Sequence, residues 1–131
     1  MSRARFFPLL AATLLCAFDA AAAECLKAED GQRAEGRLER VRFVDVDYGN
    51  RVETAFILNL AKPVCLEGED EIDKVESTLK IHVFSMDKAV LDRLRASVGR
   101  RIQVVGSPFG EHTAHHRAPI VMRVTAVKPL P

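Results

Sequence analysis

The stretch Leu79-Lys80-Ile81-His82-Val83-Phe84-Ser85-Met86-Asp87-Lys88-Ala89-Val90-Leu91-Asp92-Arg93-Leu94-Arg95-Ala96-Ser97-Val98-Gly99 changes its hydrophobic period half-way. From Leu79 to Phe84 the period is two: Leu79, Ile81 and Val83 face one way, and Lys80, His82 and Phe84 the other. That is a strand. From Met86 the apolar positions Met86, Val90, Leu91, Leu94 and Val98 fall on one helical stripe. Ser85 can cap that helix, Asp87 suits its positive first turn, and Gly99 can end it in the left-handed conformation. One helix therefore follows a strand in mid-chain, and the fold depends on how many strands lie on either side.

Two more strands precede it. Gly36 to Asp47 alternates Val41 and Phe43 with Arg40 and Arg42, then Val44 and Val46 take the opposite phase. Such a change implies a bulge or a strand bending between two faces. Tyr48-Gly49-Asn50-Arg51 reads as a tight hairpin of the II′ kind, and Val52 to Leu60 as the returning strand, with Val52, Thr54, Phe56, Leu58 and Leu60 on one face. Two strands follow the helix, Arg101 to Val105 and Pro119 to Val127, with Gly106-Ser107-Pro108 breaking the first. The acidic run Glu67 to Glu76 lacks EF-hand spacing and reads as a solvated loop blunting a sheet edge. The expected fold is mainly β with one helix, in the order β-β-β-α-β-β of a small five-stranded OB-fold-like Greek-key barrel.

The first 23 residues read as a signal peptide. Arg3 and Arg5 open it, Phe6 to Phe18 is apolar, and Ala21-Ala22-Ala23 offers a cleavage site before Glu24. The apolar run is too short for a membrane span of roughly 20 residues. Residues 24–131 then form a single periplasmic or secreted domain. Cleavage leaves the basic residues (19 less Arg3 and Arg5) and the acidic residues (18 less Asp19) equal in number. With no net excess of phosphate-neutralising side chains, and with export, a nucleic acid partner is not expected. Cys16 departs with the signal, and Cys25 and Cys65 remain to form a disulfide. A reactive or metal-binding pair is the alternative.

Three segments are similar to a known group of small exported bacterial proteins, the domain of unknown function 4431. They are Ala55 to Cys65 (AFILNLAKPVC), Gly99 to Gly106 (GRRIQVVG) and Phe109 to Val124, whose His112, Thr113, His115 and His116 are the most specific part. The resemblance implies export and a small β-rich fold, and carries no activity over.

Three of the four histidines fall within five residues, in Glu111-His112-Thr113-Ala114-His115-His116-Arg117. Three converging imidazoles could hold zinc or copper, which makes His112, His115 and His116 the candidate metal ligands, with Glu111 or His82 in the fourth position. An OB-fold sets the loop between its last two strands against the face of its second and third strands. The expected ligand surface is therefore His82, His112, Thr113, His115, His116 and Arg117. The competing reading is a polar loop whose imidazoles bond backbone carbonyls and brace it. No catalytic constellation is recognisable: G-x-S-x-G and H-E-x-x-H are absent, and Pro108 marks Ser107 as a turn residue. The expectation is a non-enzymatic exported binding module for an unidentified envelope ligand or protein. A zinc or copper protein, or a periplasmic inhibitor or immunity-type protein, are the alternatives.

Overall fold

The computed structural model describes residues 24–131. The expected signal segment, with Cys16, lies outside the described residues. The elements are β1 (Glu24–Lys27), β2 (Gln32–Asp45), β3 (Arg51–Glu67), β4 (Val75–Phe84), α1 (Lys88–Ala96), β5 (Arg101–Gly110) and β6 (Ile120–Pro129). A short 3-10 turn, Glu71–Asp73, precedes β4. The fold is mainly β with one helix, and its six strands form one mixed sheet in the order β1-β3-β2-β5-β6-β4, with a further pairing between β3 and β4. Only β1–β3 and β4–β6 are parallel.

Six strands replace the expected five, because the polar lead at Glu24 is itself a strand. β1 runs parallel to the end of β3 in a register that sets Cys25 opposite Cys65, and the two are disulfide-bonded across 40 residues. The main core gathers Leu38, Leu58, Ile81, Val83, Ile102, Val104, Ile120, Met122 and Val124, closed by Val90 and Leu94 of α1. Leu79, expected beside Ile81, is exposed.

Three local expectations are corrected. The helix begins two residues later than its stripe, at Lys88, because Asp87 takes the cap: its carboxylate accepts from Val90 N–H at 3.1 Å. Ser85 instead donates its hydroxyl to Val124 O at 2.9 Å, tying the helix entry to β6. Met86 and Val98 lie outside the helix and are exposed, while Gly99 does take a positive φ of 83°. Asp87→Ala is expected to cost about 1 kcal/mol in urea unfolding, the ordinary value of a lost N-cap. A loss under a few tenths would mean that the cap is idle.

The second correction concerns β5, which does not break at Gly106-Ser107-Pro108 but runs on to Gly110 with a register shift between Val105 and Gly106. Pro108 is tolerated because β2 has left the ladder by then. Its last pair with β5 is Gln32↔Gly106, so no partner waits on that side for the missing N–H. Gly110, at the strand's end, is required by close approach: a Cβ there would run into the Ile72 carbonyl, and its N–H donates to Asp73 Oδ1 at 2.9 Å. The acidic segment thus pins the end of β5.

The third correction is the place of the phase change in β2. The strand does pass from one face to the other, as one of the two expected alternatives had it, but between Leu38 and Val41 and not between Phe43 and Val44. Ala34, Gly36 and Leu38 point into the core, after which Val41, Phe43 and Asp45 become the covered positions and Val44 is exposed. Pairing with β3 is continuous from Gly36↔Leu60 to Asp45↔Arg51, so no bulge is involved. The strand simply buries one face in its first half and the other in its second. β3 does the same: Leu58 lies in the core, while Ala55 and Ile57 are buried on the opposite face and Val52 is exposed. The connection at 46–50 is longer than a two-residue hairpin, and both Gly49 and Asn50 take positive φ.

Candidate functional site

The second face of the sheet is where the histidine segment lies. His82 on β4 pairs with Ile57 on β3 and with Val121 on β6, and Val121 pairs in turn with Phe109 on β5. Paired residues share a face, so these four form one row across four strands, on the side away from Leu58, Ile81, Ile120 and Met122. Ala55, Ile57, Val121 and the loop's own Ala118 are buried, yet none belongs to the main core. Phe109 anchors the loop from below. Its ring meets Phe84 at 6.2 Å, His112 at 5.4 Å and His116 at 5.3 Å, measured between centroids.

The loop between β5 and β6 forms a tight turn, with His116 N–H donating to Thr113 O at 3.1 Å. That turn brings His112 and His116, four residues apart, to a 4.7 Å ring contact. His112 backbone N–H donates to His116 Nδ1 at 3.1 Å, so this nitrogen is unprotonated. His112 Nδ1 lies 3.1 Å from Gly110 O, which only an Nδ1–H can satisfy. His82 Nδ1 accepts from Arg117 N–H at 3.2 Å, and its ring stands edge-on to His116 at 6.3 Å. Three imidazoles thus spend their Nδ1 atoms on loop backbone. Burial, with the charges of His116 and Arg117, pulls the His82 pKa down to about 4. Burial and neighbouring His112 lower that of His116 in the same direction. His82 does meet the loop, and Thr113 contributes through its carbonyl.

His115 goes elsewhere. Its Nδ1 lies 2.9 Å from Glu53 Oε1, and its ring is 6.2 Å from that of Tyr48 in the 46–50 connection. Arg117 follows it: Nη2 is 3.3 Å from Glu53 Oε2, and the guanidinium carbon lies 4.5 Å from the centre of the Phe43 ring. Hydrogen bonding from His115, aided by Arg117, holds the Glu53 carboxyl below its ordinary pKa despite some desolvation. Asp45, on the same face two residues beyond Phe43, is the one buried charged residue among those described. Asp45, Glu53 and His115 each offer a ligand atom within 4.8 Å of the others, and no other such group of three occurs among the described residues. The expected trio of His112, His115 and His116 is therefore divided, because the turn that joins His112 to His116 aims His115 across to β3.

Residues 80–128 match the model of the domain of unknown function (DUF4431). The match takes in β4 from Lys80, α1, β5, the histidine loop and β6 as far as Lys128, whereas the Ala55 to Cys65 segment lies outside it. No curated protein matches the chain. The matched span holds the loop and His82, while the partners that receive His115 and Arg117 come from β2 and β3.

Sequence reading missed Asp45, Glu53 and Tyr48. Each looked like an ordinary strand exterior or turn residue, and the available signal was the odd spacing from Leu38 to Val41 and Phe43, which keeps Asp45 in phase with those covered positions. Ser107, discounted as a nucleophile, hydrogen-bonds Asp30, in the connection between β1 and β2. A concavity of about 870 Å³ lies between β1, β2, β3 and β5, lined in part by Arg33, Arg37, Lys62 and Arg101. It contains none of the histidines.

Proposed function

We propose that this is an exported, non-catalytic binding module, and that its ligand sits where the 46–50 connection meets the 111–119 loop. The observation that carries the reading is the meeting itself. Tyr48 lies in one connection and Glu53 just beyond it, His115 and Arg117 come from the other, and contacts run from Tyr48 to His115, from His115 to Glu53 and from Glu53 to Arg117. Tyr48 and its neighbour Val46 are exposed beside these polar groups, over about two-thirds and nearly three-quarters of their surface, while the exposed Val44–Val52 pair lies on the opposite face of the β2–β3 ribbon. Apolar side chains gathered about a few convergent polar groups are the usual composition of a ligand surface.

The fold reading supports the same place. Following the pairings β2–β3–β4–β6–β5 and back to β2 returns to the starting strand, with β4–β6 parallel and the rest antiparallel. We read that circuit as a five-stranded OB-type Greek-key barrel with β1 added at one edge. In that architecture ligands are taken by the face of its second and third strands and by these two connections. Export rests on the leader and is supported by the disulfide.

An envelope ligand is tested with soluble muropeptides, which present sugar and short carboxylate-bearing peptide together. In titrations followed by amide NMR, shifts are expected to cluster at 44–53 and 111–117, and to vanish in Tyr48→Ala/Arg117→Ala. Shifts centred on Arg33, Arg37 and Arg101 would move the function to the other groove, and none at all would remove cell-wall fragments as the ligand class.

A further inference from the structure

We infer that Asp45, Glu53 and His115 form a binding site for a divalent ion of the zinc class, distinct from the His112–His116 pair. One imidazole and two carboxylates are a donor set that zinc takes, three protein ligands leaving a fourth position open to water or to a ligand group. Calcium and magnesium prefer oxygen alone, so the imidazole selects against them. The three donor atoms already lie within 4.8 Å of one another. Donors about 2.0–2.2 Å from a tetrahedral ion lie roughly 3.5 Å apart, so closure by about an ångström suffices, and His115 can supply it from its loop.

A second observation concerns Asp45. Its side chain is buried (8% exposed) and receives one hydrogen bond, from Asp47 N–H to Oδ1 at 3.1 Å. No cationic side chain reaches it among the described residues. A largely buried carboxylate without an ion-pair partner is an uncompensated charge, and a second carboxylate, that of Glu53, lies within 4.8 Å of it. A shared cation relieves both. Arg117 does not serve: its Nη2 is on Glu53 Oε2, while His115 Nδ1 lies against both carboxylate oxygens, 2.9 Å from Oε1 and 3.1 Å from Oε2. Arg117 thus steadies a carboxylate that already faces the imidazole, as an outer partner does for a ligand. Zinc would enter from the solvent side, where His115 is 58% exposed, and would take the place of the proton between Nδ1 and Oε1. Glu53 is 25% exposed, so the donors grade from surface to interior along the entry path.

The site shares Glu53 and His115 with the ligand face proposed above but does not depend on it, and zinc alone is the probe. Tag-free protein stripped with chelator and titrated with zinc chloride by calorimetry is expected to show one site. His115→Ala, Asp45→Asn and Glu53→Gln should each weaken it at least tenfold. His112→Ala/His116→Ala should stay within threefold of the parent. His115 is exposed enough that its removal leaves the fold intact, so that variant decides the matter even if Asp45→Asn misfolds. Absence of a zinc site tighter than millimolar overturns the inference, as does parental affinity in His115→Ala. So does loss confined to the His112/His116 variant. Muropeptide binding without zinc binding would retire the ion and keep the ligand face, and the reverse result would do the opposite.

Discussion

Replacing Cys25 and Cys65 together by alanine is expected to lower the free energy of unfolding by about 4 kcal/mol. The bridge closes a loop of 40 residues, and on the chain-entropy account that much freedom returns to the unfolded chain when it is cut. The folded state loses something as well. β1 has four residues and a single parallel partner, the end of β3 from Val64 to Glu67. Its one contribution to the main core is Leu26. So short a ladder cannot be stable alone, and docking of β1 rests on the covalent tie at its centre. Urea unfolding of the double variant beside the oxidised parent measures the first effect, and amide exchange at Cys25 to Lys27 the second. A loss below 1 kcal/mol, with β1 amides still protected, would show that β1 docks by itself and that the bridge is no staple. A domain of this size has little margin, so the expected loss takes a large part of its stability.

The helix was the most legible element. Val90 and Leu94 at helical spacing, followed by a left-handed Gly99, leave few other solutions; the cap moved from Ser85 to Asp87, and Met86 and Val98 fell outside the helix. β1 was illegible because Glu-Cys-Leu-Lys is too short to show a period, and because its partner is 40 residues away. The run of β5 through Pro108 was misread for a related reason: proline breaks a strand only where a neighbour needs its N–H, and sequence does not show which edges are free. The histidine segment was correctly placed between the last two strands, with His82 beside it, since that follows from strand order. The division of the trio was not visible. It depends on Glu53, 62 residues from His115, and on the half-turn by which β2 and β3 exchange their covered faces.

Lowering the pH from 7 to 5 is expected to cost up to about 2 kcal/mol through His82 alone, with the loop over the second sheet face as the part that lets go. The imidazole is held neutral in the fold, with its pKa down at about 4 against 6.5 when free. Between those values the unfolded chain binds a proton that the folded one refuses, so stability rises with pH across the window. The contribution is complete above about 6.5 and is lost as pH falls toward about 4. Integrating the two titrations gives the figure, an upper one because His82 is not wholly buried. The cost has a structural counterpart. Protonation at Nδ1 abolishes the acceptor for Arg117 N–H and sets a positive ring against the Arg117 guanidinium and His116. His116, shifted the same way, adds to the slope, while hydrogen bonding from His115 holds the Glu53 carboxyl below its ordinary value. His82→Gln keeps a polar side chain able to accept from Arg117 and removes the titration. It should be somewhat less stable than the parent at pH 7, yet its urea midpoint should change less between pH 7 and pH 5. Equal losses in parent and variant would mean that His82 is not the proton sensor. With the expected result, amide exchange should show residues 111–119 opening first, since the bond to His82 is what the loop loses on acidification.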